Sequence, residues 1–293
     1  METLELASYA KVNLTLEVFG KRADGYHDID SVVQVIDLSD SLCISKAEPG
    51  VIDVEADVLQ VPSGPENSVY RACEVFFQAT GIRGGVKCRI GKRIPMQAGL
   101  GGGSGNAAAA LIALNRLYDT RLTDSELVRL GASIGSDVPL FIVGGTARMR
   151  GRGEIVEPLP DAPQLHFVIV KPEVNVSTAW AYAELDKQPE RRSTRASDEA
   201  ERAIRRRDRN ALIRSLWNDF DPVVATAIPE VQDAQRALEK IGAEKAMLCG
   251  SGSAVFGVFE SEKSAELAAA QLQNRYADVF SATNVATEQL RRS

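Results

Sequence analysis

The feature that most constrains this chain is a glycine-rich segment that runs directly into an alanine-rich stretch. Five of the seven residues from Gly99 to Gly105 are glycine, and four alanines, 107–110, follow after one residue. Alanine favours the helix, so the pattern predicts a helix over 104–118 that begins at the end of the glycine run. Glycines let the backbone approach a ligand, and a helix N-terminus offers unpaired N–H groups to anions. We interpret the segment as a phosphate cradle; the alternative is a flexible loop before a buried helix.

This segment does not follow either of the common nucleotide-binding loops. The sequence contains no G-x-x-x-x-G-K-[ST] pattern, and no G-x-G-x-x-G opens the helix after the glycines. Both a Walker-type and a Rossmann-type nucleotide site are therefore disfavoured.

Length and composition indicate a globular chain with two domains. At 293 residues, a typical domain size of about 150 residues predicts two domains with room for a large core. Hydrophobic residues make up 44% and charged residues 25% of the chain, which excludes intrinsic disorder and fibrous architecture. No apolar run approaches the roughly 18 residues of a membrane helix, and the N-terminus lacks the pattern of a signal peptide. We therefore expect a cytoplasmic protein with no membrane partner.

Charge and cysteine usage narrow the possible ligands. The formal net charge is −6, which argues against nucleic acid as a partner, because nucleic-acid binding usually needs a basic face. It does not exclude an anionic small molecule. The four cysteines form no C-x-x-C pair, and only His27 and His166 could join them as metal ligands. We expect no protein metal site, and we interpret the cysteines as core side chains in a reducing compartment.

The pattern of apolar residues predicts mainly strands in the first hundred residues and helices after them. Apolar Val12, Leu14, Leu16 and Val18 alternate with polar residues, as in a half-buried strand. Further strands are expected over 31–37, 41–46, 85–90, 144–150, 154–157, 166–171, 245–248 and 254–259. Helices are expected over 67–80, 104–118, 123–134, 197–217, 229–241 and 262–276.

A proline cluster marks the expected boundary between the two domains. Three prolines stand within residues 158–163, which predicts domains over 1–160 and 161–293. Strands and helices cluster without regular strand–helix alternation, so the predicted fold class is α+β.

Two charged residues, Lys11 and Asp137, are candidates for a chemical role. Lys11 lies between apolar Ala10 and Val12 in a predicted strand; the alternative is an edge-strand lysine that points to water. Asp137 follows a predicted helix and precedes Pro139 by two residues; the alternative is a plain turn aspartate. The residues alone leave both alternatives open.

Three segments, in order along the chain, resemble the motifs of the GHMP kinase superfamily. Residues 95–104, Pro-Met-Gln-Ala-Gly-Leu-Gly-Gly-Gly-Ser, are similar to its P-x-x-x-G-L-G-[SG]-S signature. Residues 10–14, Ala-Lys-Val-Asn-Leu, resemble its N-terminal strand motif. Residues 249–254, Cys-Gly-Ser-Gly-Ser-Ala, resemble its C-terminal glycine motif. Together they imply a two-domain α+β fold with an N-terminal ATP-binding domain, a C-terminal α/β domain and an active site in the cleft between them.

Two more segments point to one branch of that superfamily. Residues 22–27, Arg-Ala-Asp-Gly-Tyr-His, and 135–139, Gly-Ser-Asp-Val-Pro, are similar to motifs of the branch that phosphorylates a cytidylyl-bearing alcohol in the non-mevalonate route to isoprenoid precursors. The sequence departs from the family pattern in two places. Gln97 and Ala98 replace the usual glycine pair before the loop, and Gly105 stands where a second serine is common.

Carried over residue by residue, the resemblance implies roles for each part of the site. Asp137 would be the base that takes the acceptor proton, and Lys11 would hold that carboxylate ionised and steady the transferring phosphoryl group. The implied ATP contacts are Asn67, Lys92, Pro95, Gly99, Leu100, Gly101, Gly102, Gly103, Ser104 and Asn106. The implied contacts of the cytidylyl substrate are Asn13, Tyr26, His27, Thr178 and Tyr182.

The resemblance also implies the small molecules involved. ATP would be the co-substrate, and Mg²⁺ is expected, held mainly by the phosphates, by water and by Ser104. The protein would be a monomer or a weak homodimer.

Six of the implied contact residues also have a purely structural interpretation. Asn67 could be a helix N-cap, Lys92 a surface charge and Asn106 a capping amide. His27 could be a surface-turn histidine. Thr178 and Tyr182 could belong to an amphipathic helix face.

Two other functions compete with the cytidylyl kinase. One is another GHMP kinase, acting on homoserine, mevalonate or a sugar, against which Tyr26 and His27 argue. The other is a non-catalytic nucleotide-binding sensor, against which the presence of both Lys11 and Asp137 argues.

Overall fold

Two β-sheets organise the structure, a computed structural model that describes residues 3–188 and 194–292. In chain order the strands are β1 (Thr3–Asn13), β2 (Thr15–Lys21), β3 (His27–Lys46), β4 (Ile52–Ala56), β5 (Val86–Gly91), β6 (Thr146–Gly151), β7 (Ile155–Pro158), β8 (His166–Lys171), β9 (Trp217–Asn218), β10 (Lys245–Leu248), β11 (Val255–Phe259) and β12 (Asp278–Thr283). The first seven strands and β9 form one sheet, and β10-β11-β8-β12 form the other.

Helices cover these sheets. In chain order they are α1 (Ser68–Thr80), α2 (Gly102–Leu117), α3 (Asp124–Ile134), α4 (Val138–Val143), α5 (Thr178–Leu185), α6 (Ala196–Arg205), α7 (Arg209–Arg214), α8 (Asp221–Ala227), α9 (Pro229–Lys240), α10 (Glu262–Leu272) and α11 (Thr287–Arg292). None of the helices within the described ranges is long and apolar enough to cross a bilayer.

The long strand β3 holds the first sheet together. It pairs antiparallel with β1, β2, β5 and β6, so that the expected strands 31–37 and 41–46 are one continuous element. The register of β1 shifts between Tyr9 and Ala10, and beyond that shift Lys11 lies opposite Val35. This pairing places Lys11 within the sheet.

The alanine-rich helix α2 packs into the core of the first sheet. Its residues 105–111 are all buried, and residues 107–111 share one apolar cluster with side chains of α1 and β5. Because alanine has a small side chain, α2 can approach its neighbours closely along its whole length. This packing fixes the N-terminus of α2 relative to β1, where the candidate site lies.

A second apolar cluster joins the two sheets. Ala10 and Val12 of β1 pack in the same cluster as Phe167 and Ile169 of β8. After β12 the chain returns to the first sheet, where Val285 N–H donates to the Val35 carbonyl at 2.9 Å. The two sheets therefore bury side chains against each other.

The structure differs from the sequence expectation over 197–217. One helix was expected there, and the structure has α6 and α7 with a break between them. Arg207 takes a positive φ of 55°, and the Asp208 side chain accepts the N–H of Ala211 to begin a new helix. The expectation of a single helix is wrong because a cap at Asp208 competes with the continuous helical pattern.

Candidate active site

A cavity of about 470 Å³ opens at the N-terminus of α2. All the residues expected to contact ATP line it. They are Asn67, Lys92, Pro95, Gly99, Leu100, Gly101, Gly102, Gly103, Ser104 and Asn106. The structure thus brings together side chains and backbone from the start of α1, the loop after β5 and the first turn of α2.

The glycine loop ends in a helix that begins two residues earlier than expected. Helix α2 begins at Gly102, and its N-cap residue Gly101 has φ of 72°, in the left-handed region that favours glycine. The first N–H groups of a helix have no partner within it, so residues 102–104 can donate to an anion in the cavity.

The structure shows the local environment of the two departures from the family pattern, at Gln97 and at Gly105. Gln97 takes a φ of 51°, a conformation that glycine adopts without strain. A Cβ at Gly105 would lie 2.5 Å from the Tyr9 carbonyl oxygen and 3.0 Å from the Ser8 hydroxyl. A serine at 105 would therefore require β1 to move away from α2.

The three superfamily motifs meet at one point. The Lys11 N–H donates to the Leu100 carbonyl at 2.9 Å, which joins β1 to the glycine loop. A Cβ at Gly99 would lie 1.9 Å from the Cys249 carbonyl oxygen, so only glycine allows this close approach of the two loops. A Cβ at Gly250 would lie 3.5 Å from the Lys11 Nζ.

The Lys11 side chain is buried and points at two polar groups. Its Nζ donates to the Asn13 Oδ1 at 2.7 Å and lies 3.7 Å from the Asp137 Oδ2. Lys11 is only 6% exposed, which rules out a lysine that points to water. The Asn13 Nδ2 in turn donates to the Ser31 hydroxyl at 2.9 Å, so the amide that faces Lys11 is itself held in place.

Asp137 occupies the residue before α4. Val138 and Pro139 open that helix, but the Asp137 carboxylate makes no capping hydrogen bond to it. About a third of its side chain is exposed, in contrast to the buried Lys11. A carboxylate that is paired with a buried cation and open on its other side can accept a proton from a bound alcohol.

His27 of β3 and Tyr182 of α5 form an aromatic pair. Their ring centroids lie 4.8 Å apart with planes inclined by 22°, and the His27 Nε2 lies 2.7 Å from the Asp186 Oδ1. Burial raises the pKa of Tyr182 to about 12, and the neighbouring charge of Asp137 adds to the effect. His27 is only 7% exposed, so it is not a surface-turn histidine.

The other residues expected to contact the acceptor lie in more open positions. Tyr26 is 57% exposed, and the Arg152 guanidinium lies over its ring at 4.9 Å from the centroid. The Thr178 hydroxyl, at the start of α5, lies 2.9 Å from the Ser251 hydroxyl of the third motif.

Three polar residues of the cavity are held by a buried carboxylate or by a cap. The Lys92 Nζ lies 2.6 Å from the Asp40 Oδ2, and the Asn106 Nδ2 donates to the same oxygen at 3.1 Å. Lys92 is therefore not a surface charge. The Asn67 Oδ1 accepts the Val69 N–H at 2.8 Å, so Asn67 is a helix N-cap and also lines the cavity.

Sequence reasoning missed Asp40, Asp186 and the role of Ser251 beside Thr178. Ser251 lies inside the C-terminal glycine motif, so that motif could have pointed to it. Asp40 and Asp186 carry no local signal, because each meets its partner only through the tertiary fold. Within the described ranges, no group of three His, Cys, Asp or Glu side chains is placed to hold a metal ion.

The family profile described as the GHMP kinases N terminal domain matches residues 67–145, and the GHMP kinases C terminal profile matches 200–278. A Moorella thermoacetica protein named 4-diphosphocytidyl-2-C-methyl-D-erythritol kinase is 45% identical over 282 residues, which span 96% of this chain and 98% of its own. A Pelotomaculum thermopropionicum protein of the same name is 43% identical over 89% of this chain and 91% of its own. The chain belongs to this family of GHMP kinases.

Solved structures agree with the family and with the fold. The crystal structure of a 4-(cytidine 5'-diphospho)-2C-methyl-D-erythritol kinase superposes with a TM-score of 0.79 at 31% identity, over 96% of this chain and 99% of its own. Homoserine kinase from Cytophaga hutchinsonii superposes with a TM-score of 0.78 at 19% identity, over 98% and 96%, and shows the shared fold. The predicted α+β GHMP kinase fold is confirmed, and the protein is an ATP-dependent small-molecule kinase.

Proposed function

We propose that this kinase transfers the terminal phosphoryl group of ATP to the 2-hydroxyl of 4-diphosphocytidyl-2-C-methyl-D-erythritol, in the non-mevalonate route to isoprenoid precursors. The observation that carries the proposal is the position of Asp137. It faces Lys11, whose Cγ would lie 3.0 Å from a Cβ added at Gly101 in the glycine loop. Its charge also acts on Tyr182, the stacking partner of His27.

Asp137 acts as the general base in this proposal. It accepts the proton of the acceptor hydroxyl as the oxygen attacks the γ-phosphorus. Lys11 keeps the carboxylate ionised and stabilises the charge of the transferring phosphoryl group. Phosphoryl transfer depends mainly on positioning and electrostatic stabilisation, so one base and one buried cation beside a phosphate cradle supply what the reaction needs.

The glycine loop holds the phosphates of ATP. The N–H groups of residues 101–104 and the positive end of the α2 dipole stabilise the anion. Asn67, Lys92 and Asn106 line the remainder of the cavity and lie around the adenine and ribose. In support, the buried Asn106 Oδ1 has no hydrogen-bond partner among the described residues, which leaves an acceptor free for a ligand.

The acceptor lies between Asp137, the start of β3 and helix α5. His27 and Tyr26 contact the cytosine, because a cytosine ring offers a face for an aromatic side chain and edge atoms for hydrogen bonds. Tyr182 and Thr178 close the pocket from α5, and Asn13 lies near the reacting hydroxyl. The hydrogen bond of Asn13 to Lys11 supports this position.

Mg²⁺ fits this site as an ion carried by the nucleotide. Within the described residues no cluster of carboxylate, histidine or cysteine ligands faces the cavity, and Ser104 offers one hydroxyl. The ion would be held by phosphate oxygens, water and Ser104, and it would offset part of the phosphate charge. We further propose a cytoplasmic protein, a monomer or a weak homodimer, whose partners are these two small molecules.

A panel of acceptors tests the function. Purified protein with Mg-ATP is given the cytidylyl alcohol, homoserine, mevalonate or a hexose, and ADP release is followed. We expect turnover with the cytidylyl alcohol alone. Turnover with homoserine or mevalonate instead would show a different GHMP kinase, and ATP binding without turnover on any acceptor would favour a sensor.

A further inference from the structure

The cavity that we assign to ATP contains one cation whose charge is already balanced and one whose charge is not. The charged residues that line it within the described ranges are Glu66, Arg71 and Lys92. Lys92 lies 2.6 Å from the fully buried carboxylate of Asp40, so its charge is neutralised inside the protein. Arg71 forms no ion pair with any described carboxylate; its guanidinium donates to the Ile134 carbonyl at 2.7 Å.

The Arg71 guanidinium lies close to the start of α2. The Ile134 carbonyl that it contacts belongs to the peptide bond into Gly135. A Cβ at Gly135 would lie 4.0 Å from the Ser104 hydroxyl, in the first turn of α2. The charge of Arg71 therefore stands beside the glycine loop.

We propose that Arg71 binds the terminal phosphates of ATP and supplies the positive charge that the glycine loop lacks. This proposal rests on the function proposed above, which places ATP in this cavity. A triphosphate carries several negative charges, while the loop offers backbone N–H groups and a dipole but no formal charge. A guanidinium has five N–H donors, so it can hold the Ile134 carbonyl and still offer a two-pronged contact to phosphate oxygens.

The contact with Ile134 gives this arginine a second effect. Gly135, Ser136 and Asp137 follow Ile134 directly, so the group that binds phosphate also holds the start of the turn that carries the base. Arg71 thereby links phosphate binding to the position of Asp137.

A purely structural role makes a different prediction. If Arg71 only ties α1 to the C-terminus of α3, its loss weakens the binding of every adenine nucleotide to a similar extent. If it binds the terminal phosphates, the loss grows with the number of phosphates. The comparison of ATP with AMP separates the two roles.

The experiment is calorimetric binding of ATP and AMP to the full chain, without acceptor and at one salt concentration. The proteins are the wild type, Arg71→Gln, Arg71→Lys and the control Arg129→Gln, which removes an exposed arginine of α3. Hydrogen bonds to charged groups set the expected size, so Arg71→Gln should weaken ATP binding by about 10- to 100-fold and AMP binding by less than about three-fold. Arg71→Lys keeps the charge but loses the bidentate geometry of the guanidinium, so its ATP affinity should lie between those of the wild type and Arg71→Gln. Arg129→Gln should match the wild type.

Equal losses for ATP and AMP, or an unchanged ATP affinity, would overturn the role of Arg71. If melting curves show that Arg71→Gln does not fold, Arg71→Lys decides by the same comparison. No acceptor is used, so a wrong acceptor leaves the result intact. A wild-type protein that binds no ATP would overturn the proposed function and this proposal together.

Discussion

The ammonium group of Lys11 lies 3.7 Å from a carboxylate oxygen of Asp137, although the two residues come from a buried strand and from the start of a short helix. Lys11 is held by Asn13, and Asp137 is open on the side away from the lysine. The pair therefore offers a fixed cation and an accessible base next to the glycine loop.

Replacing Asp137 with asparagine should abolish most of the turnover. The change preserves shape and removes the base, so kcat should fall by about 10²- to 10⁴-fold. The affinity for ATP should hardly change, because the substitution leaves the glycine loop intact. Steady-state kinetics and ATP binding on the same preparation measure both effects. Asp119→Asn, an exposed aspartate, is the control, and near-normal turnover of Asp137→Asn would show that Asp137 is not the base.

A valine at Gly101 should disrupt the glycine loop. The Cβ would lie 2.9 Å from the Phe141 ring and 3.0 Å from the Lys11 Cγ, at a φ of 72° that β-branched residues avoid. We expect ATP binding to weaken by at least about ten-fold, because the displaced loop loses hydrogen bonds to the charged phosphates. We also expect kcat to fall, because Lys11 is displaced. Calorimetry and circular dichroism check affinity and fold. Gly20→Ala, where a Cβ meets nothing within 4 Å, serves as the control; unchanged ATP affinity of Gly101→Val would move the phosphate site elsewhere.

Loss of the His27 side chain should weaken the binding of the acceptor and leave the binding of ATP unchanged. A hydrogen bond to a neutral partner contributes about 0.5–1.5 kcal/mol, so His27→Ala should raise the KM of the cytidylyl substrate several-fold or more. Asp186→Asn should raise it less, because the ring remains and asparagine removes only the charge of the partner at its Nε2. The KM for ATP should stay the same in both.

The other histidine provides a matched control for this test. His166 lies in β8 and has no assigned role, so His166→Ala should leave both KM values unchanged. An unaltered acceptor KM in His27→Ala would remove His27 from the site and weaken the case for a cytosine-bearing acceptor.

Asp221 should make stability depend on pH. Its Oδ1 accepts the Leu248 N–H and the Gln235 side chain, and burial raises its pKa from 3.8 to about 6. Because the pKa is higher in the folded state, protonation of Asp221 stabilises the fold. This stabilisation is present at low pH and is lost as pH rises from about 4 towards and through about 6.

Replacing Asp221 with asparagine tests this. Asparagine can accept the same hydrogen bonds without a charge. From about pH 4 to about pH 7, Asp221→Asn should therefore gain up to about 3 kcal/mol of unfolding free energy relative to the wild type. The measurement is denaturant unfolding of both proteins at several pH values. An unfolding free energy that changes with pH by the same amount in the two proteins would contradict this prediction.

The elements that the sequence predicts well are those with a strong local pattern. The α1 helix shows this, because Val69, Ala72, Cys73 and Phe76 recur at helical spacing and are buried together. The glycine loop and α2 are found for the same reason. Strand β12 and helix α4 were not predicted; α4 is apolar at every position, so it shows no helical period.

The site depends more on tertiary contacts than the elements do. The motifs predicted a set of ATP contacts, and the structure brings these residues together around the cavity at the start of α2. The partners Asp40 of Lys92 and Asp186 of His27 could not be predicted, because strand pairing and sheet packing alone decide what those side chains meet. The domain boundary near residue 160 stays a prediction, since the two sheets share a core and the chain returns to the first sheet near Val285.

The most direct test of the central claim is the structure of the product. Purified protein is incubated with Mg-ATP and the cytidylyl alcohol, and the product is examined by mass spectrometry and ³¹P NMR. Our account predicts one added phosphate, present as a monoester on the 2-hydroxyl of the methylerythritol unit, with the diphosphate bridge to cytidine intact and one ADP formed for each product. A phosphate on the cytidine ribose, or ADP formed without any phosphorylated alcohol, would contradict it.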